Sequence, residues 1–444
     1  MGNSELFAGV ATGCLLMVYA GMTEVSYQFQ VYRFLNIKEI SISLITKFIM
    51  SSKLGGLIGS LFFGALAEVI GRQRTITAIY LPLLISSIMF QATSDYVVGC
   101  GASFIAGLSI GGTYTVVPMF IGEISTKDMR GRLIGLMYPS QQLGVFIIII
   151  GRIILSVFVE TDMMPFKNYS SIILAMFGIL LTGTAVRETP YYYLNKGKEG
   201  LAKESLTYIR SFAVNTELEY DEIQSGIKYI KSIETGAGII FWSIKRSWIK
   251  PLLLMISVYI FTYAVYVFPY YAVRSISDSS WNPWVGRLVI SIVPFMASFL
   301  ILFVVDTVGR KWTLKLSFGG MILVLIVFLL FTIWKTYSAN ASFVLYILFL
   351  ISSHVGAGPI RFVLIGEIFP LDKKGIYAGI STALLFILQL FVLEINQIKV
   401  LASETYYIDI YISLVILVIA LIIVKFYYVE TRKRTLNDIQ IKLR

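Results

Sequence analysis

Histidine occurs once and cysteine twice in this 444-residue chain, and those shortages already remove several functional classes. No Cys/His cluster has the spacing of a metal site. Cys14 and Cys100 both fall inside apolar runs, so neither a disulfide framework nor a reactive thiol is expected. The single His354 reads as a packing or interface residue. No glycine-rich loop carries a P-loop lysine, and no nucleophile–base constellation appears. The chain is therefore not expected to be an enzyme, and no cofactor, metal or catalytic residue is expected. Charge is the other shortage, since only 14% of residues are Asp, Glu, Lys or Arg.

What fills the space is apolar: 57% of the chain is hydrophobic, and the mean hydropathy is +0.78. Apolar runs of about 20 residues recur from end to end, each long enough to cross roughly 30 Å of hydrocarbon. In that solvent every backbone polar group must be paired internally, which predicts helices. Twelve transmembrane helices are expected, near 6–28, 44–67, 74–93, 97–121, 132–156, 168–187, 250–273, 283–305, 313–334, 341–366, 375–398 and 405–428. The second contains Lys47 and Lys53 and the seventh is rich in tyrosine, so these two depart most from a plain apolar run. The first stretch lacks a basic leader and reads as a span, not a cleavable signal.

The net charge of +11 reads as topology rather than as affinity for nucleic acid. Lys and Arg gather at Arg72 and Arg74, at Lys127, Arg130 and Arg132, at Arg310, Lys311 and Lys315, within 188–249, and from Lys425 onward. The positive-inside rule then places both termini and 188–249 in the cytoplasm. Asn340 opens a glycosylation sequon on the expected outer side, and Asn168 opens another close to the bilayer.

Internal repeats organise the chain. GALAEVIGRQR (Gly64–Arg74) is echoed by FVVDTVGRKW (Phe303–Trp312), GEISTKDMRGR (Gly122–Arg132) by GEIFPLDKKG (Gly366–Gly375), and RETP (Arg187–Pro190) by VETRKR (Val429–Arg434). From Glu68 to Asp306, Glu123 to Glu367 and Glu188 to Glu430 the offsets are 238, 244 and 242 positions. So regular a spacing implies a duplicated unit. The expected organisation is a six-helix half at 1–187, a cytoplasmic helical linker at 188–249, a second six-helix half at 250–428 and a tail at 429–444. Parallel halves with a site near the midplane are a known carrier plan. Within the linker, Glu217–Ile233 has the best helical period.

In this order the motifs resemble the sugar-porter branch of the major facilitator superfamily across nearly the whole chain. That branch typically shows G-x-L-x-D-R-x-G-R-R, E-x(6)-R-G-R, P-E-S-P-R and P-E-T-K-G at the corresponding places. GMTEVSYQ (Gly21–Gln28) is similar to the insect trehalose and glucose transporter subgroup. The resemblance implies a plasma-membrane carrier that works by alternating access in the lipid bilayer as a monomer, with a sugar as substrate. The paired charges then read as a cytoplasmic gate, formed by Glu68, Arg72, Glu123, Arg130, Arg132 and Glu188 on one half and by Asp306, Arg310, Glu367, Lys374, Glu430 and Arg432 on the other.

For the substrate, Gln142, beside Gln141, aligns with the family's span-five glutamine. The span-seven Q-Q-L-S-G-x-N is absent, leaving Thr262, Tyr263 and Tyr266 ahead of the retained Tyr270 and Tyr271. G-P-x-P-W becomes GPIRF, so Phe362 replaces the tryptophan beside Arg361, and the span-eleven Asn-Trp pair becomes Thr382 and Ala383. Proton-linked sugar porters carry an aspartate and an arginine where Thr23 and Ser103 stand here. Glu24 is one residue, about 100°, away from Thr23 on the helix. Facilitated diffusion is therefore expected, with Glu24 and Arg361 as possible coupling groups. Arg361 is open to contact with an anionic solute, to pairing with Glu24 or Glu394, and to a place in a wet cavity. The alternatives are a proton symporter, a carrier of another small polar or anionic solute, and a non-transporting sugar sensor.

Overall fold

The computed structural model describes residues 4–35, 42–158, 164–210, 216–236, 241–260, 264, 283–334, 338–402 and 406–443. Its helices are α1 (Ser4–Leu35), α2 (Ile42–Ile70), α3 (Arg72–Ala92), α4 (Tyr96–Ile124), α5 (Arg130–Gly135), α6 (Met137–Phe158) and α7 (Met164–Ala185). The short α8 (Pro190–Asn195), α9 (Glu199–Arg210) and α10 (Glu217–Gly236) follow. Then come α11 (Phe241–Tyr259), α12 (Pro283–Phe299), α13 (Ile301–Val304), α14 (Arg310–Ile333), α15 (Ala339–Val355), α16 (Ala357–Glu367), α17 (Lys374–Ala402), α18 (Tyr406–Tyr427) and α19 (Leu436–Leu443). There is no strand among the described residues.

Among the described residues, ten helical runs are long and apolar enough to cross a membrane, and two shorter apolar helices, Ile249–Tyr259 and Leu288–Val304, stand where the seventh and eighth spans are expected. The protein is a multi-pass helical membrane protein. Lys53 does not break its span, for α2 runs unbroken through it. The seventh span is described to residue 260 and at Ala264 only. Phe62, Ile173, Phe177, Leu323, Phe391 and Phe426 face outward, as lipid contact requires.

Small residues set the closest helix approaches. A Cβ on Gly64 of α2 would lie 2.5 Å from the Gly375 carbonyl oxygen of α17. One on Gly122 of α4 would lie 2.6 Å from that of Gly366 in α16. Only glycine permits backbones this close, and both contacts join helices that precede the 188–249 segment to helices that follow it, at one end of the bundle. At that same end α8, α9, α10 and α19 form a layer around Tyr191, Leu206, Tyr220, Ile223, Leu371 and Leu436. Arg210 fastens the layer by donating to the Ile124 carbonyl at 2.7 Å.

Candidate functional site

Two charge clusters occupy the end of the bundle where Lys and Arg concentrate. Gly71 and Gly309, with φ of 101° and 98°, turn the chain into α3 and α14. The first backbone N–H groups of each helix then meet a carboxylate. Glu188 accepts from Arg72 N at 2.9 Å and Gln73 N at 3.1 Å, and Glu430 accepts from Arg310 N and Lys311 N, both at 3.0 Å. A carboxylate at a helix N-terminus satisfies donors the helix cannot. The Arg72 guanidinium lies 3.2 Å from Glu68 and 3.2 Å from Glu123. That of Arg310 lies 2.9 Å from Asp306 and 2.8 Å from Glu367. Thr189 and Thr431 each donate from Oγ1 at 2.6 Å, to Glu123 and Glu367 respectively. Burial pushes the Glu188 and Asp306 carboxyls above their ordinary range, against the hydrogen bonds and cations that favour their ionised forms.

Each cluster also reaches across to the other six spans. Glu68 accepts from Gly375 N in the first turn of α17 at 2.7 Å, and Asp306 accepts from Arg132 N in the first turn of α5 at 3.0 Å. The Arg132 guanidinium lies 3.6 Å from Asp306, and Lys374 Nζ lies 3.8 Å from Glu123. Two expected members differ. Arg130 meets no acid among the described residues; it donates to the carbonyls of Gly122, Ser125 and Arg434, because α5 turns its side chain back along α4 and toward the tail. Arg432 contributes its backbone N–H to Glu430, while its Nε has no hydrogen-bond partner.

The second polar centre lies inside the bundle. Glu24 on α1 and Lys53 on α2 form an ion pair at 3.0 Å. Gln141 on α6 donates to the other Glu24 oxygen at 2.8 Å and to Tyr114 Oη on α4 at 2.7 Å. Its carbonyl accepts from Arg361 Nη2 on α16 at 3.2 Å. Tyr114, Tyr138 and Phe362 surround the Arg361 guanidinium at 5.5, 5.3 and 4.6 Å from their ring centroids. Arg361 therefore pairs directly with neither Glu24 nor Glu394; the Gln141 amide stands between it and Glu24. One connected network thus runs from α1, α2, α4 and α6 into α16.

The other sequence-derived site residues are distributed unevenly. Gln142 is largely buried, and its amide has no hydrogen-bond partner among the described residues. Phe362 is in the aromatic cage. Thr23 and Thr382 are fully buried and donate to their own helices, at Tyr19 O and Ala378 O. Ser103, likewise buried, donates to Phe48 O at 3.1 Å. Thr262, Tyr263, Tyr266, Tyr270 and Tyr271 lie outside the described residues. Of the two sequons, Asn340 is exposed at the end away from the charge clusters, whereas Asn168 is buried and donates to Gln91 at 3.2 Å.

Comparison with known proteins agrees with this architecture. Residues 6–443 match the family described as "Sugar (and other) transporter". The chain belongs to that family. It is 26% identical over 407 residues to the facilitated trehalose transporter Tret1 of Drosophila yakuba, covering 88% of this chain and 46% of that one. Against the Culex quinquefasciatus transporter of the same name the identity is 25% over 409 residues, covering 88% and 75%. The chain spans about half the length of several of the curated relatives it matches. Its fold is that of the proton:xylose symporter XylE bound to 6-bromo-6-deoxy-D-glucose, with a TM-score of 0.83, 18% identity and coverage of 99% and 98%.

Within this family member, sequence reasoning overlooked Lys53, Tyr114 and Tyr138. Lys53 had registered only as an irregularity in the second span. The usable signal was that a membrane-buried lysine demands an acid, and Glu24 is the acid that α1 supplies.

Proposed function

We propose that the protein carries a sugar, trehalose or a hexose, across a membrane by alternating access and facilitated diffusion. The observation that carries this reading is the buried Glu24–Gln141–Arg361 bridge between the two sets of spans, above an end shut by charge contacts between the same two sets. Gln142 and Gln141 supply hydroxyl-binding amides, and Tyr114, Tyr138 and Phe362 supply aromatic faces for a sugar ring. Thr23, Thr382 and the span-seven tyrosines belong to the same proposal. Glu68, Arg72, Glu123, Asp306, Arg310, Glu367, Lys374 and Arg132 act as the cytoplasmic gate, with both termini cytoplasmic and the protein working as a monomer in the plasma membrane. Opening the gate exchanges these pairs for water, so the two states need differ by only a few kcal/mol. The facilitated mode rests on Thr23 and Ser103, which stand where proton-linked sugar porters carry an aspartate and an arginine.

The test is uptake of labelled trehalose and glucose into liposomes holding the purified protein, with and without a pH gradient. Saturable uptake that ignores the gradient and falls in Gln142→Ala is the expected result. No sugar flux through demonstrably folded protein would overturn the proposal, and uptake that requires the gradient would overturn its facilitated mode.

A further inference from the structure

Arg361 carries a charge that no carboxylate among the described residues balances at ion-pair distance. Among the described residues, Lys53 and Glu24 neutralise each other at 3.0 Å, and no carboxylate reaches ion-pair distance of Arg361. Its side chain is only 7% exposed, its Nε has no hydrogen-bond partner, and its Nη2 is engaged by a neutral amide. A guanidinium does not shed its proton to escape burial, as a lysine can. The three surrounding rings attract the cation but supply no counter-charge. Counting Glu24 as −1 and Lys53 and Arg361 as +1 each, the network holds one positive charge in excess. Arg361 also stands where the sugar-porter pattern G-P-x-P-W has its second proline, so the charge is a departure of this chain.

We propose that the substrate of this site is a monoanionic sugar acid, whose carboxylate seats on Arg361 while its hydroxyls engage Gln141 and Gln142. The proposal rests on the carrier reading above and extends its substrate class to acidic sugars. A carboxylate matches the guanidinium fork and takes the orphaned Nε as a donor. Its single charge matches the single excess. A phosphate monoester, at about −1.5 to −2 near neutral pH, overcompensates it and is disfavoured.

The experiment uses the full chain in liposomes with D-glucuronate, D-glucose and glucose 6-phosphate as probes. Glucuronate uptake is expected to exceed that of glucose 6-phosphate at least tenfold and to accelerate when the interior is made positive. Arg361→Gln should lower glucuronate uptake at least tenfold and lower it more than it lowers glucose uptake, and Arg361→Lys should restore part of the loss. In detergent, glucuronate should raise the Tm of the natural protein and not that of Arg361→Gln; the potential dependence and this Tm shift read the natural chain, so they hold even if the glutamine variant fails to fold. Glucose flux without glucuronate flux or Tm shift overturns the sugar-acid inference and leaves the carrier reading standing. Glucuronate uptake undiminished in Arg361→Gln also overturns it. No flux of any probe through folded protein overturns both.

Discussion

The two charge clusters are near copies, whereas the interiors of the two sets of spans are not. Around Arg72 and Arg310 the same parts recur: a left-handed glycine, two carboxylates on one guanidinium, a threonine on the inner carboxylate and a third carboxylate on the helix N-terminus. Deeper in the bundle, Glu24, Lys53 and Gln141 come from helices before the 188–249 segment, and among the described residues the helices after it contribute Arg361 to their hydrogen-bond network. On the proposed carrier reading, duplication is preserved where the same gate contact must be made twice and lost where one asymmetric solute must be held.

The comparison can be pressed hardest at its centres. Arg72→Met and Arg310→Met each strand two buried carboxylates, and each should destabilise the protein by about 3–5 kcal/mol. Thermal unfolding in detergent checks this. A small loss in one and a large loss in the other would show that the resemblance of the clusters is geometric and not energetic.

The glycines should separate the copies. A Cβ on Gly71 would fall 2.1 Å from Glu188 Oε2, and one on Gly309 would fall 2.8 Å from Glu430 Oε2. Both substitutions also force an L-residue into positive φ, which costs about 1–3 kcal/mol. Gly71→Ala should lie at the upper end of that range and Gly309→Ala at the lower, by the same unfolding measurement. Equal losses would mean that backbone strain, not the carboxylate clash, decides.

The threonines differ in a second duty. Thr431→Val removes a hydrogen bond to a buried carboxylate, worth about 1.5 kcal/mol. Thr189→Val removes its counterpart and also the cap on Tyr192 N at the start of α8, adding about 1 kcal/mol. A double-mutant cycle with Glu123→Gln isolates the shared part. If the cycle shows no coupling, the 2.6 Å contact contributes nothing beyond the cap.

How much of this was legible follows the same division. The spans were readable because hydrocarbon leaves helices as the solution for long apolar runs, and the clusters were readable because duplication printed their residues twice. What the repeats did not reveal is where each charge points. Arg130 and Lys374 hold equivalent places in their motifs, yet Lys374 reaches Glu123 of the opposite set while Arg130 turns to the carbonyls of Gly122, Ser125 and Arg434. The central network was half legible. Gln141, Glu24 and Arg361 stood out as polar residues in apolar runs, but their connection depends on helix rotation, which no single sequence carries. Lys53 was seen and set aside as a blemish in a span.

The smallest expected effect concerns pH, and it again sets the copies apart. Burial raises both Glu188 and Asp306 above the usual carboxylate range. Glu188 takes its hydrogen bonds from Arg72, Gln73 and Thr189, all in its own set of spans, so its surroundings persist when the halves part. Asp306 faces Arg132 of the other set and gains water on opening. Opening removes both the burial that raises its pKa and the Arg132 contacts that lower it; burial is the larger influence, so the shut state is expected to bind the proton more readily. By linkage, this contribution to closure is fully present below the ordinary aspartate pKa and is lost as pH rises through the raised value. Acidifying the clustered end should shift the population toward the shut state, read as the distance between spin labels on α5 and α17, and Asp306→Asn should remove the response while Glu188→Gln leaves it. A shift toward opening on acidification would mean that Arg310 and Arg132 outweigh burial at Asp306, and that this cluster closes as an ion pair, not as a desolvated carboxyl.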